Sequence, residues 1–463
     1  MRLFLALLLA IVYCSSGQEM DFWLTDPEEN ILFEQQTPLV PTNDGHLAKQ
    51  HIIVVNSTKE YQTMDGFGFA LTGGSAFHLS RLDKETRAAL LEELFGTDKN
   101  AIGISYLRLS IGSSDLNEAV FSYDDLGPGE IDLNMTRFTL DVDRVFLIPV
   151  LKEILAINPQ MKLLGSPWSA PVWMKSHQKT VGGSLLTQFY DAYALYFVRY
   201  IQTMQAEGIT IDAITIQNEP LYGGNNPSMV MHAEHQAQFI KRNLGPAFRR
   251  NSITTKILIY DHNPDRPDYP LTILADHEAR QYVHGSAFHM YAGRIEALSL
   301  VHNAHPDKNI YFTEQWIGAP GNIKTDLVWH VKTLIIGATR NWARTVLEWN
   351  LAADSKLEPH TPGGCDQCLG ALTIDANHVR SPRNPGYYII AHASKFVRPN
   401  SVRIASNDVA GLPNVAFQRH DDGRRVLIVL NDDSHQTLSF EIHCDGHIYR
   451  SSLNAGSVGT YVW

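Results

Sequence analysis

Cysteine, basic charge and long apolar runs are scarce in this chain, and each scarcity excludes a class of protein. Four cysteines among 463 residues are too few for a small disulfide-framed domain. Lys and Arg number 38 against 49 Asp and Glu, for a formal net charge of -11. Without clustered basic residues the chain is not expected to bind nucleic acid. Beyond residue 17 no apolar run approaches the ~20 residues that a membrane span needs. Internal repeats and low-complexity tracts are missing, and so is a G-x-G-x-x-G turn after a first strand, the fingerprint of a dinucleotide fold. An H-E-x-x-H metal motif is missing too. His232-Ala233-Glu234-His235 places two histidines three apart on a predicted helix, without a carboxylate set to complete a metal site.

What is present suits a large globular protein. The apolar fraction is 44% and the charged fraction 19%, which is ordinary for a folded chain. The length exceeds one compact core and fits an α/β barrel of ~250 or more residues with an accessory unit. Arg2, the apolar run from Leu3 to Tyr13 and the small residues Cys14-Ser15-Ser16-Gly17 have the layout of a secretory signal peptide over residues 1–17. A secreted, extracellular protein is expected, with a lysosomal destination as the alternative. Cleavage near Gly17 or Gln18 leaves Cys365, Cys368 and Cys444. One disulfide and one buried thiol are expected, with Cys365 and Cys368 as disulfide candidates. Their C-x-x-C spacing is that of a redox motif, but it sits in a Gly-rich loop and not at the start of a helix. Two sequons, at Asn56 and Asn134, are glycosylation candidates in a eukaryotic secretory route.

Apolar runs at 66–71, 105–110, 162–165, 213–217, 256–260, 285–289, 310–313 and 345–349 predict eight strands. Amphipathic stretches at 84–94, 144–157, 188–205, 232–243 and 326–336 predict helices between them. Strand–helix alternation predicts a parallel sheet, and eight strands over residues 63–395 fit a (β/α)8 TIM barrel. An open, doubly wound sheet is the alternative. The tail, residues 396–463, has β-rich runs separated by Asp421-Asp422-Gly423, Asn431-Asp432-Asp433 and Cys444-Asp445-Gly446. That spacing of turns predicts a small antiparallel β-sandwich. Residues 18–62, with a β-like stretch at 51–55, are expected to contribute to it.

Barrel enzymes place their chemistry where strands end. The fourth predicted strand runs into Gln217-Asn218-Glu219-Pro220, and the seventh into Thr313-Glu314-Gln315. Two carboxylates at such positions suit glycoside hydrolysis, which needs an acid for the leaving oxygen and a carboxylate across the sugar ring. The sequence resembles glycoside hydrolase family 30, which includes glucosylceramidases and β-1,6-glucanases. The resemblance runs over nearly all of the chain after the leader, through Asp65-Gly66-Phe67-Gly68, Leu107-Arg108-Leu109-Ser110-Ile111-Gly112, and Ser166-Pro167-Trp168-Ser169-Ala170-Pro171-Val172-Trp173-Met174. It continues through Gln217-Asn218-Glu219-Pro220, Phe288-His289-Met290-Tyr291, Thr313-Glu314-Gln315-Trp316 and Glu348-Trp349-Asn350-Leu351.

The resemblance implies a retaining enzyme for β-glucosidic bonds, with Glu219 as acid/base and Glu314 as nucleophile. Glu219 should then hold a proton at rest while Glu314 is ionised. Asn218 is implied as the partner of the sugar 2-hydroxyl. Asp115, Trp168, Trp349 and Asn350 are implied to line the glucose site, and His289, Tyr291 and Arg108, each at a strand end, to orient the catalytic groups. No cofactor or metal is implied. The substrate is a β-glucan or a glucosylated lipid, with membrane contact only for the lipid. The Thr313–Asn322 and Gly363–Gly370 stretches, and the lack of cysteine between residues 18 and 57, are closer to the β-1,6-glucanase branch. A catalytically inactive carbohydrate-binding relative would have lost one of the two glutamates, and both are present.

Overall fold

All eight predicted barrel strands form. In chain order they are Gly66–Ala70, Tyr106–Ser110, Lys162–Ser166, Ala213–Thr215, Lys256–His262, Val283–His289, Asn309–Glu314 and Ala343–Asn350. Each pairs in parallel with the next, and the eighth closes on the first with Thr345 opposite Gly66. The computed structural model describes residues 19–42, 51–98, 100–375 and 382–463. The leader and its cleavage position lie outside the described residues.

Helices ring the barrel for visible reasons. Lys84–Phe95 starts where the Asp83 carboxylate caps the backbone N–H groups of Glu85 and Thr86. Leu147–Ile157 turns Leu147, Leu151 and Ile154 inward at helical spacing. The helices Ala233–Phe239 and Ile323–His330 each run on into a π-helical segment, Ile240–Leu244 and Val331–Ala338.

The barrel interior is layered by the two-residue period of its strands. One layer is apolar: Tyr106, Leu164, Ala213, Leu258, Ala287, Tyr311 and Leu347. Two residues further along, the same faces carry Arg108, Ser166, Thr215, His289, Thr313 and Trp349. The core therefore changes from hydrocarbon to polar groups one step toward the C-terminal face. The fifth strand reaches that layer differently. Its register shifts between Tyr260 and His262, with left-handed φ of 74° and 66° at Tyr260 and Asp261. The extra residue of this bulge turns Asp261 inward.

The second domain is a β-sandwich built on one nine-stranded sheet system. Met20–Asp26 pairs with Val458–Val462, while Ile52–Thr63 runs parallel to Leu438–Cys444 and antiparallel to Val402–Ser406. Met20–Asp26 and Ile31–Leu39 are strands that the sequence pattern did not single out. Leu427 and Val429 of the strand Arg425–Leu430 enter the sandwich core, whereas Val426, Ile428 and Leu430 pack on the barrel. A strand apolar on both faces thus glues the two domains together.

His392, on the helix Pro385–Ser394, lies at this junction. Its ring nitrogens are 2.9 Å from Thr460 Oγ1 and 2.8 Å from Thr25 Oγ1. Burial depresses its pKa to about 3. Between that value and the ordinary 6.5, the unfolded chain binds a proton that the folded chain refuses. The histidine's contribution to stability is intact above pH 6.5 and is lost as pH falls toward 3. Denaturant unfolding at pH 7 and pH 4 should therefore show a larger loss of stability in the wild type than in His392→Asn. Parallel losses would contradict the assignment.

Candidate active site

The polar layer converges on Asp261. Its Oδ2 accepts from Arg108 Nη2 (2.8 Å), Ser166 Oγ (2.8 Å) and Thr215 Oγ1 (2.7 Å). Its Oδ1 accepts from Thr313 Oγ1 (2.6 Å) and faces His289 Nε2 at 3.1 Å. Burial would raise its pKa, but the charges of Arg108 and His289 prevail and hold it far below the carboxylate range. Arg108 is expected at a strand end but sits mid-strand, where the alternation points it into the barrel. Its guanidinium also donates to Glu314, to Asn218 Oδ1 (2.8 Å) and to Ser166 Oγ (3.2 Å). It lies 4.8 Å from the Trp168 ring and 5.8 Å from the Trp349 ring, a cation–π contact on each.

The two glutamates stand above this layer. Glu314 ends the seventh strand, and its Oε1 accepts from Tyr291 Oη at 2.9 Å. Glu219 follows the short fourth strand with a left-handed φ of 46°, and its N–H donates to the Asp261 carbonyl (3.0 Å). A non-glycine residue holds that conformation only when its surroundings fix it. His289 Nδ1 lies 3.1 Å from Glu219 Oε1 and 3.6 Å from Glu314 Oε1. Among the described residues, Glu219, His289 and Glu314 are a group with the donors to hold a metal ion, with one donor atom from each lying within 4.8 Å of the others.

The charges of this cluster act on one another. Burial opposes a charged imidazole, yet the Glu314 and Asp261 carboxylates outweigh it and raise His289 to about 9. Burial would likewise raise Glu219, but the imidazolium holds it below its ordinary value. Burial raises Glu314, against the pull of His289 and Arg108. Glu219 is thus lowered and Glu314 raised, and His289 Nδ1 faces both carboxylates. The donors from Arg108 and Tyr291 still favour the ionised form of Glu314.

Asp115, Trp168, Glu219, Tyr291, Glu314 and Trp349 line a cleft of about 510 Å³. Trp168 and Trp349 meet at 5.2 Å between ring centroids. Burial and the nearby Glu314 raise Asp115 to about 7. Asn350 is not among the residues lining the cleft. Its Oδ1 accepts from Thr72 Oγ1 (3.3 Å) and Ser75 Oγ (3.0 Å), so it braces the first and eighth strands. Asp261 and the cleft residues Tyr222, His262, Asn263 and Trp316 were not anticipated. Asp261-His262 after the apolar run 256–260 carries the same strand-end signature as the two glutamates.

A disulfide joins Cys365 and Cys368, and Cys444 is a buried thiol. Both bridged cysteines line the cleft, and their loop is fastened on several sides. Cys365 N donates to Asp115 Oδ2 (3.3 Å), and Thr361 N to the Asp115 carbonyl (2.8 Å). Asn226 Nδ2 donates to Pro362 O (2.9 Å), Ala319 N to Gln367 O (2.9 Å), and Leu369 N to Ile317 O (3.0 Å). His232 and His235, with rings 6.2 Å apart, lie at the start of the helix Ala233–Phe239. Asn56 and Asn134 are both exposed.

Known proteins share this arrangement. The chain is 36% identical to an endo-1,6-β-D-glucanase of Neurospora crassa over 87% of its length and 85% of that protein's. It is 28% identical to the lysosomal acid glucosylceramidase of Mus musculus, over 89% and 83%. A solved endo-β-1,6-glucanase superposes with a TM-score of 0.89 at 34% identity, over 96% of this chain and 99% of that one. The model of the glycosyl hydrolase family 30 β-sandwich domain matches residues 400–461. The TIM-barrel model of the same family matches residues 64–397, the span that carries both inward glutamates, and the chain belongs to glycosyl hydrolase family 30.

Proposed function

We propose that the protein is a secreted, retaining β-glucanase that cuts β-1,6-linked glucan, with Glu314 as nucleophile and Glu219 as acid/base. The observation that carries the chemistry is the spacing of the two carboxylates. Oxygens within 4.8 Å suit direct attack on the anomeric carbon, which needs a carboxyl separation of ~5–5.5 Å, and leave no room for the water of an inverting enzyme at ~6.5–9.5 Å. Similarity to two β-1,6-glucanases, by sequence and by structure, supports the choice of glucan. Glucosylceramide is the second reading, favoured by the resemblance to the mouse enzyme. Secretion is supported by the leader pattern and by a disulfide in the cleft wall.

In the first step Glu314 attacks, and the glycosidic oxygen takes a proton from Glu219, with His289 supplying its share. Esterification removes the Glu314 charge that helps raise His289. Glu219 is left ionised beside a neutral imidazole, and is therefore a better base for the water that releases the glucosyl group. Asn218 has its oxygen committed to Arg108 and offers its NH2 to the sugar 2-hydroxyl. Trp168, Trp349 and Asp115 supply an apolar face and a hydrogen-bonding edge to the ring.

Two variants check the roles of the glutamates. Glu314→Gln should yield no covalent glucosyl-enzyme by mass spectrometry. Glu219→Gln should lose ~10²–10⁴-fold in kcat/KM on glucan but far less in kcat/KM on an aryl glucoside whose leaving group needs no proton. Equal losses on both substrates would remove Glu219 from the acid role.

The activity profile should be bell-shaped, with its alkaline limb set by the proton that Glu219 and His289 share. In His289→Gln that proton rests on a carboxyl alone, and the limb should move about one pH unit or more toward acid. An unmoved limb would mean that His289 only packs.

Purified protein incubated with β-1,6-glucan should release oligosaccharides. Glucose released from glucosylceramide alone would install the second reading instead.

A further inference from the structure

Beside the cleft, on the same C-terminal face of the barrel, lies a second cavity of about 390 Å³, within the size range of small-molecule sites. It is walled by the loops after the second, third and fourth barrel strands, and each loop continues into the cleft. Ser113 stands two residues before Asp115, Ser169 follows Trp168, and Pro227 stands two residues after Asn225. The same three loops therefore wall both spaces.

The lining has the chemistry of a sugar site. Phe121 and Trp173 bring aromatic rings, while Ser122, Asp125 and Gln178 bring a hydroxyl, a carboxylate and an amide. These groups are held in place. Trp173 Nε1 donates to the Asp124 carbonyl (3.0 Å) and to its carboxylate (3.2 Å). Phe121 is clamped through its backbone, its N–H donating to Ser113 Oγ and its carbonyl accepting from Ser113 N, both at 3.0 Å.

The rim is fastened at visible cost. Lys175 is 1% exposed, and its Nζ donates to the carbonyls of Thr180 (3.0 Å) and Ser228 (2.7 Å). Burial pushes this ammonium down to about 7. Spending a buried cation on two loop carbonyls ties the third-strand loop to the fourth. Gln178, three residues on from Lys175, has a left-handed φ of 52°, a conformation that non-glycine residues keep where the surroundings impose it.

We propose that this cavity is a second saccharide-binding site, which holds glucosyl units of the same chain whose scissile bond lies between Glu219 and Glu314. The proposal rests on the glucan reading of the cleft. A chain gripped at both places is cut internally, and each added unit that reaches the cavity adds binding.

Kinetics on β-1,6-gluco-oligosaccharides of two to eight units test it, using the wild type, Phe121→Ala and the exposed-rim variant Gln178→Ala. In the wild type, kcat/KM should climb with chain length once the cavity is reached. In each variant, the ratio of kcat/KM on the longest substrate to that on the dimer should fall about fivefold to tenfold, the worth of one or two contacts. Thermal unfolding identifies a misfolded Phe121→Ala, and Gln178→Ala then decides alone. Rates independent of length in the wild type, or variant losses equal at every length, overturn the second site and leave the glucan reading standing. Failure of the wild type to cut any of these oligosaccharides overturns both.

Discussion

The mouth of the barrel depends on one buried ion pair, Arg108 with Asp261, whose side chains are both fully shielded from solvent. Such a pair gains little by itself, because the cost of desolvating two charges offsets their attraction. Here Asp261 also accepts from the hydroxyls of Ser166, Thr215 and Thr313, while Arg108 Nε is left without a partner among the described residues. Each ion then reaches upward. Arg108 reaches Glu314, and Asp261 reaches Glu219 through His289. The carboxylates of Glu219 and Glu314 are thereby tied to a single anchor.

The anchor also sets the chemistry of the site. Asp261 occupies Nε2 of His289, which leaves Nδ1 facing Glu219 and Glu314. Arg108 supports the charge on Glu314 and lies against Trp168 and Trp349 in the cleft wall. Asp261, Glu314, Asn218 and the two indoles thus all lie less than 6 Å from one guanidinium. The strand period that brings them together is the same one that packs the hydrocarbon layer below.

Much of this was legible in the sequence because it obeys simple periods. Eight apolar runs at βα spacing announced the barrel, and Glu219 and Glu314 stood out as carboxylates ending such runs. What stayed hidden depended on departures from the period. Asp261 turns inward through a bulge, and a run that seems to stop at Tyr260 gives no sign of the extra residue. Arg108 was placed at a strand end because a charge inside a strand reads as an edge until its buried partner is known. Asn350 shares a motif with Trp349, yet successive strand residues face opposite ways, so one lines the cleft and the other braces the wall. The strands Met20–Asp26 and Ile31–Leu39 were missed for a related reason: their alternation is weak, since much of the second is half-exposed.

The loop bridged by Cys365 and Cys368 hydrogen-bonds to elements that follow three other barrel strands, the second, fourth and seventh, and among the described residues its partners do not include Glu219 or Glu314. The cleft wall and the two glutamates are therefore held by separate sets of contacts, one laced across the ends of the strands and the other rooted in the barrel interior.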